Sequence, residues 1–336
     1  MSHASITLRR ALRDRRMTVG GAVLGILGLV GIFAEVLAAP APLLVVGHGM
    51  RGLLPAITEE RVELDVPDKR YEGTFVVWPI VRSSPTAITD DGPFAPSSAT
   101  HPLGTDEKGR DVFARIVYGA RNALGVSVVA IFLSTLFGVL LGGLSGIRGG
   151  VSRTVLVRLV ETVDSFPAII VVALVWAIER QPSSLSLILA VAFVRWAEIA
   201  RLVHAESMRA MTEDYALAAR ALGASRTRIF MHHVLPNALG PVMVSSVFGV
   251  ASVVLLNATL AFLEMGTASD SASWGELLAQ GARHPAALRL LLLPGVLLFA
   301  TVGASYLVAD ALREAMDPRA AHFVRRDLES ARNEPQ

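Results

Sequence analysis

Arg195 and Glu198 stand three residues apart in an apolar run, and Glu161 and Asp164 stand near the start of another. Charges inside such runs are expensive to bury in lipid, so by default they mark proton relays, ion paths or pore linings. The same spacing also permits a plainer role. Residues three apart share a helix face, so Arg195 can neutralise Glu198, and Arg158 can neutralise Glu161. Structural pairing or pore lining is the favoured reading over proton relay. The histidines carry less: His232 and His233 are adjacent and point to different helix faces, and His204 with Glu206 lacks a third ligand, so no metal site is expected. There is no G-x-x-x-x-G-K-[ST], no H-E-x-x-H and no G-x-S-x-G, which excludes the familiar nucleotide-binding loop, zinc protease and serine hydrolase. Without cysteine there is no disulfide, thiolate site or cysteine nucleophile. No catalytic residue is assigned.

The elements that must hold those charges are membrane helices. Of 336 residues, 52% are hydrophobic and 18% charged, and the mean hydropathy is +0.51. The apolar residues fall in blocks of roughly 20, the length that crosses a bilayer. Six spans follow, at residues 17–39, 124–147, 159–178, 185–203, 238–263 and 288–311. Arginines crowd the segment before the first span (Arg9, Arg10, Arg13, Arg15, Arg16) and the connections after the second (Arg148, Arg153, Arg158) and fourth (Arg209, Arg220, Arg226, Arg228). They recur in the tail at Arg313, Arg319, Arg325, Arg326 and Arg332, whereas the opposite short connections hold only Arg180 and Arg283. Positive charge stays in the cytoplasm, so both termini and residues 206–237 are assigned there. The first apolar run is too long, and lacks a small-x-small site before a polar domain, to be a cleaved signal peptide. No interleaved aromatic and basic surface suggests nucleic acid.

The expected organisation is a cytoplasmic segment (1–16), a first span (17–39), an extracytoplasmic segment (40–118), a five-helix membrane domain (119–312) and a cytoplasmic tail (313–336). Within the extracytoplasmic segment, "RVELDV" and "TFVVWPIV" read as strands joined by "PDKRYEG", a candidate β-hairpin. Residues 83–102 read as loop, and 111–122 as an amphipathic helix on the membrane surface. Gly21 with Gly25, and Gly138, Gly142 and Gly146, have the spacing that lets helices approach in lipid.

Residues 213–237, "EDYALAARALGASRTRIFMHHVLPN", are too polar for lipid and read as two short helices about one glycine. Thr212 is the expected cap of the first, with Glu213 and Asp214 at its positive end. Alanines 216, 218, 219 and 221 favour helix with little bulk. Gly223 supplies the left-handed residue that ends it, Ser225 caps a second helix to about Val234, and Pro236 opens the fifth span. The product is a stiff elbow.

This stretch resembles the "EAA" loop of ABC importer permeases: E-A-A, three residues, Gly, nine residues, then I-x-L-P. Ala218, Ala219, Gly223, Leu235 and Pro236 match; Leu217 replaces the family's Glu and His233 its Ile. The sequences "HPLGTDEKGRDVFARIVYGAR", "FP", "ARLVHAE", "SWG" and "DALREAMDPR" are similar to the dipeptide, oligopeptide and nickel branch, as its second permease. The resemblance implies an all-α polytopic fold with six transmembrane helices, the type I importer permease fold, in the bacterial inner membrane. It further implies a second, homologous permease as partner, two cytoplasmic ATPase subunits and an extracytoplasmic binding protein. The loop residues Leu217, Ala218, Ala219, Arg220, Gly223, Ser225, Arg226, Leu235 and Pro236 would contact the ATPase. No cofactor is expected on this chain; ATP and Mg belong to the ATPase. The solute is expected to be a peptide, with nickel as the alternative. An ion-coupled secondary transporter using Glu161, Asp164, Arg195 and Glu198 is the rival.

Overall fold

The computed structural model describes residues 11–47, 50–53, 75–148, 150–179, 182–265 and 271–316. Helix α1 (Arg15–Ile32) is capped by Asp14, whose carboxylate accepts the Arg16 amide at 2.8 Å. A break at Phe33 separates it from the one-turn α2 (Ala34–Leu37). Three short strands follow: β1 (Leu44–Gly47), β2 (Met50–Leu53) and β3 (Phe75–Val77). They form an antiparallel sheet in the order β2-β1-β3, with Val46 opposite Phe75 and Leu44 opposite Val77. The segment thus holds a hairpin, but of β1 and β2, and "TFVVWPIV" pairs with β1. "RVELDV" lies outside the described residues.

Helix α3 (Val112–Arg148) runs unbroken for 37 residues. The surface helix expected at 111–122 is its first part, so the boundary drawn at residue 118 falls inside a helix. The reason is local. Asp111 accepts the Ala114 amide at 2.7 Å and starts the helix, and nothing after it breaks the run. Helices α4 (Gly150–Asp164) and α5 (Ala168–Ile178) replace the straight third span and meet at a 76° bend. Pro167 removes an amide donor and holds the preceding residue out of helical geometry, so "SFP" is the hinge.

Next come α6 (Ser184–Ala210), α7 (Asp214–Ala221), α8 (Arg226–Ile229), a π-helical turn (Phe230–Val234), α9 (Leu235–Phe262), α10 (Trp274–Arg283) and α11 (Leu288–Met316). Among the described residues, α1, α3, Arg226–Phe262 and α11 are long and apolar enough to cross a membrane, and the bent pair α4–α5 makes a fifth. Helix α6 is 27 residues long but carries Arg195, Glu198 and Arg201. It packs in the middle of the bundle against α3, α4, α5 and α9, the setting in which intramembrane charge is tolerated. With α6 the arrangement is consistent with six crossings.

The α3–α6 seam is built by glycine. A Cβ at Gly138, Gly142 or Gly146 would each come to 2.5 Å from an atom of α6, at Ile199, Ala200 and Ser207 respectively. The expected pair on α1 fails: Gly21 and Gly25 face open space, whereas Gly20 sits against the Ala304 carbonyl of α11. Between their charged ends, α1, α3 and α11 expose Ile26, Leu29, Phe132, Leu140, Val296 and Phe299, as a lipid-facing surface requires.

Opposite the elbow, the stretch 101–121 ties α3 to α10. Asp106 accepts the Arg110 amide and its Nε, at 2.9 and 2.8 Å, and lies 3.4 Å from Arg115 Nε. Arg110 and Arg115 both reach Glu276 on α10. Burial pushes the Glu276 carboxyl up, but Arg115, Arg110 and Lys108 outweigh it and hold the group below its ordinary range. The Trp274 indole donates to the Ile116 carbonyl at 2.9 Å and lies against Gly119, where a Cβ would be 2.6 Å from its ring.

Candidate functional site: the elbow and the charged helix face

The elbow forms as the sequence demands, with two departures. Glu213, not Thr212, has the extended backbone of the cap before α7, and its side chain makes no capping bond. The Thr212 hydroxyl instead donates to the Arg209 carbonyl at 2.7 Å and closes the end of α6. Helix α7 ends in a full Schellman motif: the Ala224 amide bonds the Ala219 carbonyl, and the Gly223 amide bonds that of Arg220, both at 3.0 Å. Gly223 sits at φ +84°, and a Cβ there would meet nothing within 4 Å. Its glycine is therefore required by backbone conformation and not by space. Ser225 caps α8 by accepting the Arg228 amide at 3.3 Å.

The second helix does not stop at Val234. It passes through the π turn into α9, with the Leu235 amide bonded to the Phe230 carbonyl five residues back. Pro236 has no amide to give, and a π turn is a place where a helix absorbs such a gap. The elbow is thus continuous with α9 and separated from α6 by Met211, Thr212 and Glu213.

Its inner side is apolar and anchored. Ala216, Ile229, Phe230 and Val234 are buried with Ile199, Val203 and Ala210 of α6, and Ala219 and Leu235 pack at the margin. Phe230 enters a slot on α3 opened by Gly143, where a Cβ would lie 2.5 Å from its ring. The outer side presents Asp214, Tyr215, Leu217, Ala218, Arg220, Ala221 and Leu222, and Leu222 is 89% exposed. The alanines therefore divide between the two sides. Arg226 reaches back to the Arg148 carbonyl at 3.5 Å, and Pro236 is exposed.

The charged residues group on and beside α6. Arg195 and Glu198 pair at 3.0 Å, and Ser245 of α9 donates to Glu198 at 2.9 Å. Arg158 and Glu161 pair at 2.8 Å along α4. Asp164, at the α4–α5 bend, pairs with Arg201 of α6. Every carboxylate in the set has a cationic partner, an arrangement suited to a polar lining and poor for a proton relay. Among the described residues no group of three or more His, Asp or Glu could hold a metal ion.

Residues 138–322, which contain the elbow and the charged face, match the model of the binding-protein-dependent transport system inner membrane component family. The dipeptide transport system permease protein of Alkalihalophilus pseudofirmus is 34% identical over 247 residues, 72% of this chain and 80% of that protein. The oligopeptide transport system permease protein of Bacillus subtilis is 32% identical over 228 residues, covering 67% and 73%. The dipeptide permease protein of Haemophilus influenzae is 34% identical over 218 residues, covering 65% and 74%. The chain belongs to this permease family. It is a multi-pass inner-membrane transport component.

Three features of the permease were not read from its sequence. The π turn leaves no periodic trace, although Pro236 and Pro241 in one helix are a hint of altered backbone bonding. The Gly143–Phe230 slot joins residues 87 positions apart in sequence. Asp164 and Arg201 lie 37 positions apart and meet only by folding, so the sequence offers Asp164 no partner within a helical turn.

Proposed function

We propose that this chain forms half of the translocation path of an ATP-driven peptide importer and receives its drive through residues 213–237. Both termini and the elbow lie in the cytoplasm in this reading. A homologous second permease completes the path, two ATPase subunits bind ATP and Mg, and an extracytoplasmic binding protein delivers the solute. What carries the proposal is the build of the elbow: capped at Gly223, locked by Phe230, continuous with α9, with an outward face of Leu217, Ala218, Ala221 and Leu222. A flexible loop would absorb displacement by a partner, whereas this one passes it to α9 and α6. The named relatives are peptide permeases, which supports peptide over nickel as the solute. The line of Arg195, Glu198, Asp164 and Arg201 is assigned to the polar wall of the path, and mixed charge suits a zwitterionic peptide.

The test is uptake of a labelled dipeptide by proteoliposomes holding the assembled complex. Uptake is expected only with ATP on the elbow side. Uptake by the permease alone, driven by an ion gradient, would establish the secondary-transporter reading instead.

A further inference from the structure

Among the described residues, one face of the small sheet is apolar and exposed, at Val46, Phe75 and Val77. Leu44, Val46, Phe75 and Val77 share one side, because alternate residues of a strand point the same way and the β1–β3 register sets Val46 against Phe75 and Leu44 against Val77. The other side carries Val45, which is buried. Phe75 is 66% exposed, and Ile80, three residues past β3's Val77, is 73% exposed. Side chains of this kind on a face set against water would form the sort of patch that marks a contact surface.

The depth of Ile80, just past β3, points to the contact. At the elbow end Arg16 pairs with Asp310 and Glu314, fixing a polar boundary just before Met17. A hydrocarbon layer of about 30 Å takes about 20 helical residues at 1.5 Å each, which reaches Val36. At that level the Ile80 amide bonds the Val36 carbonyl at 3.4 Å, and the Val81 amide bonds that of Leu37 at 3.0 Å. Ile80 therefore sits at the far boundary of the bilayer, bonded to Val36, and Ile32, Phe33 and Val36 continue the exposed apolar surface of α1. Next to it the Arg82 guanidinium lies 4.1 Å over the Trp78 ring, and tryptophan and arginine are residues suited to the headgroup level.

We infer that this sheet is a membrane anchor: its Leu44–Val46–Phe75–Val77 face and Ile80 lie in the phospholipid leaflet opposite the elbow. The occupant of the face is lipid, continuous with that on α1. The insertion would then hold the start of α3 and the end of α2 at a fixed depth, independent of any soluble partner.

Because the chain has no cysteine, single-cysteine variants take one nitroxide label each. Labels at Phe75→Cys, Ile80→Cys, Ile88→Cys and Phe299→Cys are read in the assembled complex in phosphatidylcholine–phosphatidylglycerol nanodiscs, by collision with oxygen and with a water-soluble nickel chelate. Ile88 is as exposed as Ile80, at 72%, but lies beside Asp90 and Asp91; Phe299 is on the bare face of α11. The expected result is an oxygen-to-nickel collision ratio several-fold higher at positions 75 and 80 than at 88. Ratios at 75 and 80 equal to that at 88, with 299 still favouring oxygen, overturn the anchor while leaving the membrane reading intact. Labels that resemble 88 until an added substrate-binding protein immobilises them also overturn it, and assign the face to that protein.

Discussion

Replacing Gly223 separates two explanations of the elbow by the order of the effects. At φ +84° a side chain is disfavoured by backbone sterics, about 1–2 kcal/mol for an ordinary L-residue. Asn enters this region several-fold more readily than other non-glycine residues, and it serves as a helix terminator at this position. Since a Cβ would meet nothing within 4 Å, no packing penalty is added. A loss of 1–2 kcal/mol changes the ratio of formed to opened Schellman turn by a factor of about 5–30. Gly223→Asn should therefore keep most uptake, Gly223→Ala should lose several-fold, and Gly223→Val, β-branched, should lose most. The assay is dipeptide uptake and ATP hydrolysed per peptide in proteoliposomes, with membrane abundance measured in parallel. If instead the glycine is needed for close approach of a partner surface, the order follows size and Ala outperforms Asn. That order would refute the conformational argument.

Three further outcomes follow from the same geometry. Gly143→Ala places a methyl 2.5 Å from the Phe230 ring, an overpacking cost of about 1–3 kcal/mol, and adding Phe230→Leu should recover thermal stability and uptake. Leu217→Glu, on the exposed outer face, should leave membrane abundance and thermal stability unchanged and support at least wild-type ATP-driven uptake; loss of the co-purifying ATPase would show a different docking mode. Glu276 is held charged by Arg115 and Arg110, with its folded value below that of the unfolded chain, so its stabilisation is complete above the ordinary glutamate range and lost as pH falls through the folded value. Glu276→Gln should lower the melting temperature at neutral pH and flatten its fall in acid, checked by thermal melts across that range.

What the sequence disclosed and what it withheld divide along the distance of the interactions. The elbow was legible because its determinants are local: alanine propensity, Gly223 at a helix end, Ser225 as a cap. The apolar runs located the membrane helices for the same reason, and the Arg195–Glu198 and Arg158–Glu161 pairs needed only one turn of helix. Thr212 misled by one residue, since cap identity depends on which residue turns extended, and threonine and glutamate compete there. Helix α10 escaped a search for long apolar blocks because it is short and amphipathic, with "GELLAQGAR" turning Leu277 inward and Arg283 outward. The bend at 165–167 was written in "FP", yet one apolar count spanned it. Asp164–Arg201, Gly143–Phe230 and the Asp106–Arg115–Glu276 knot each join distant segments, and residue spacing holds no record of such partners.

The central claim is that an ATPase seats on the outer face of the elbow and moves it. Leu222→Cys, at the most exposed apolar position of that face, can be cross-linked in the assembled, transport-active complex with a short thiol reagent, against a cysteine scanned through the ATPase cleft. The account predicts an ATPase adduct whose yield changes between nucleotide-free and ATP-bound states. An active complex that gives no adduct from Leu222 or from the neighbouring Leu217 position would contradict it.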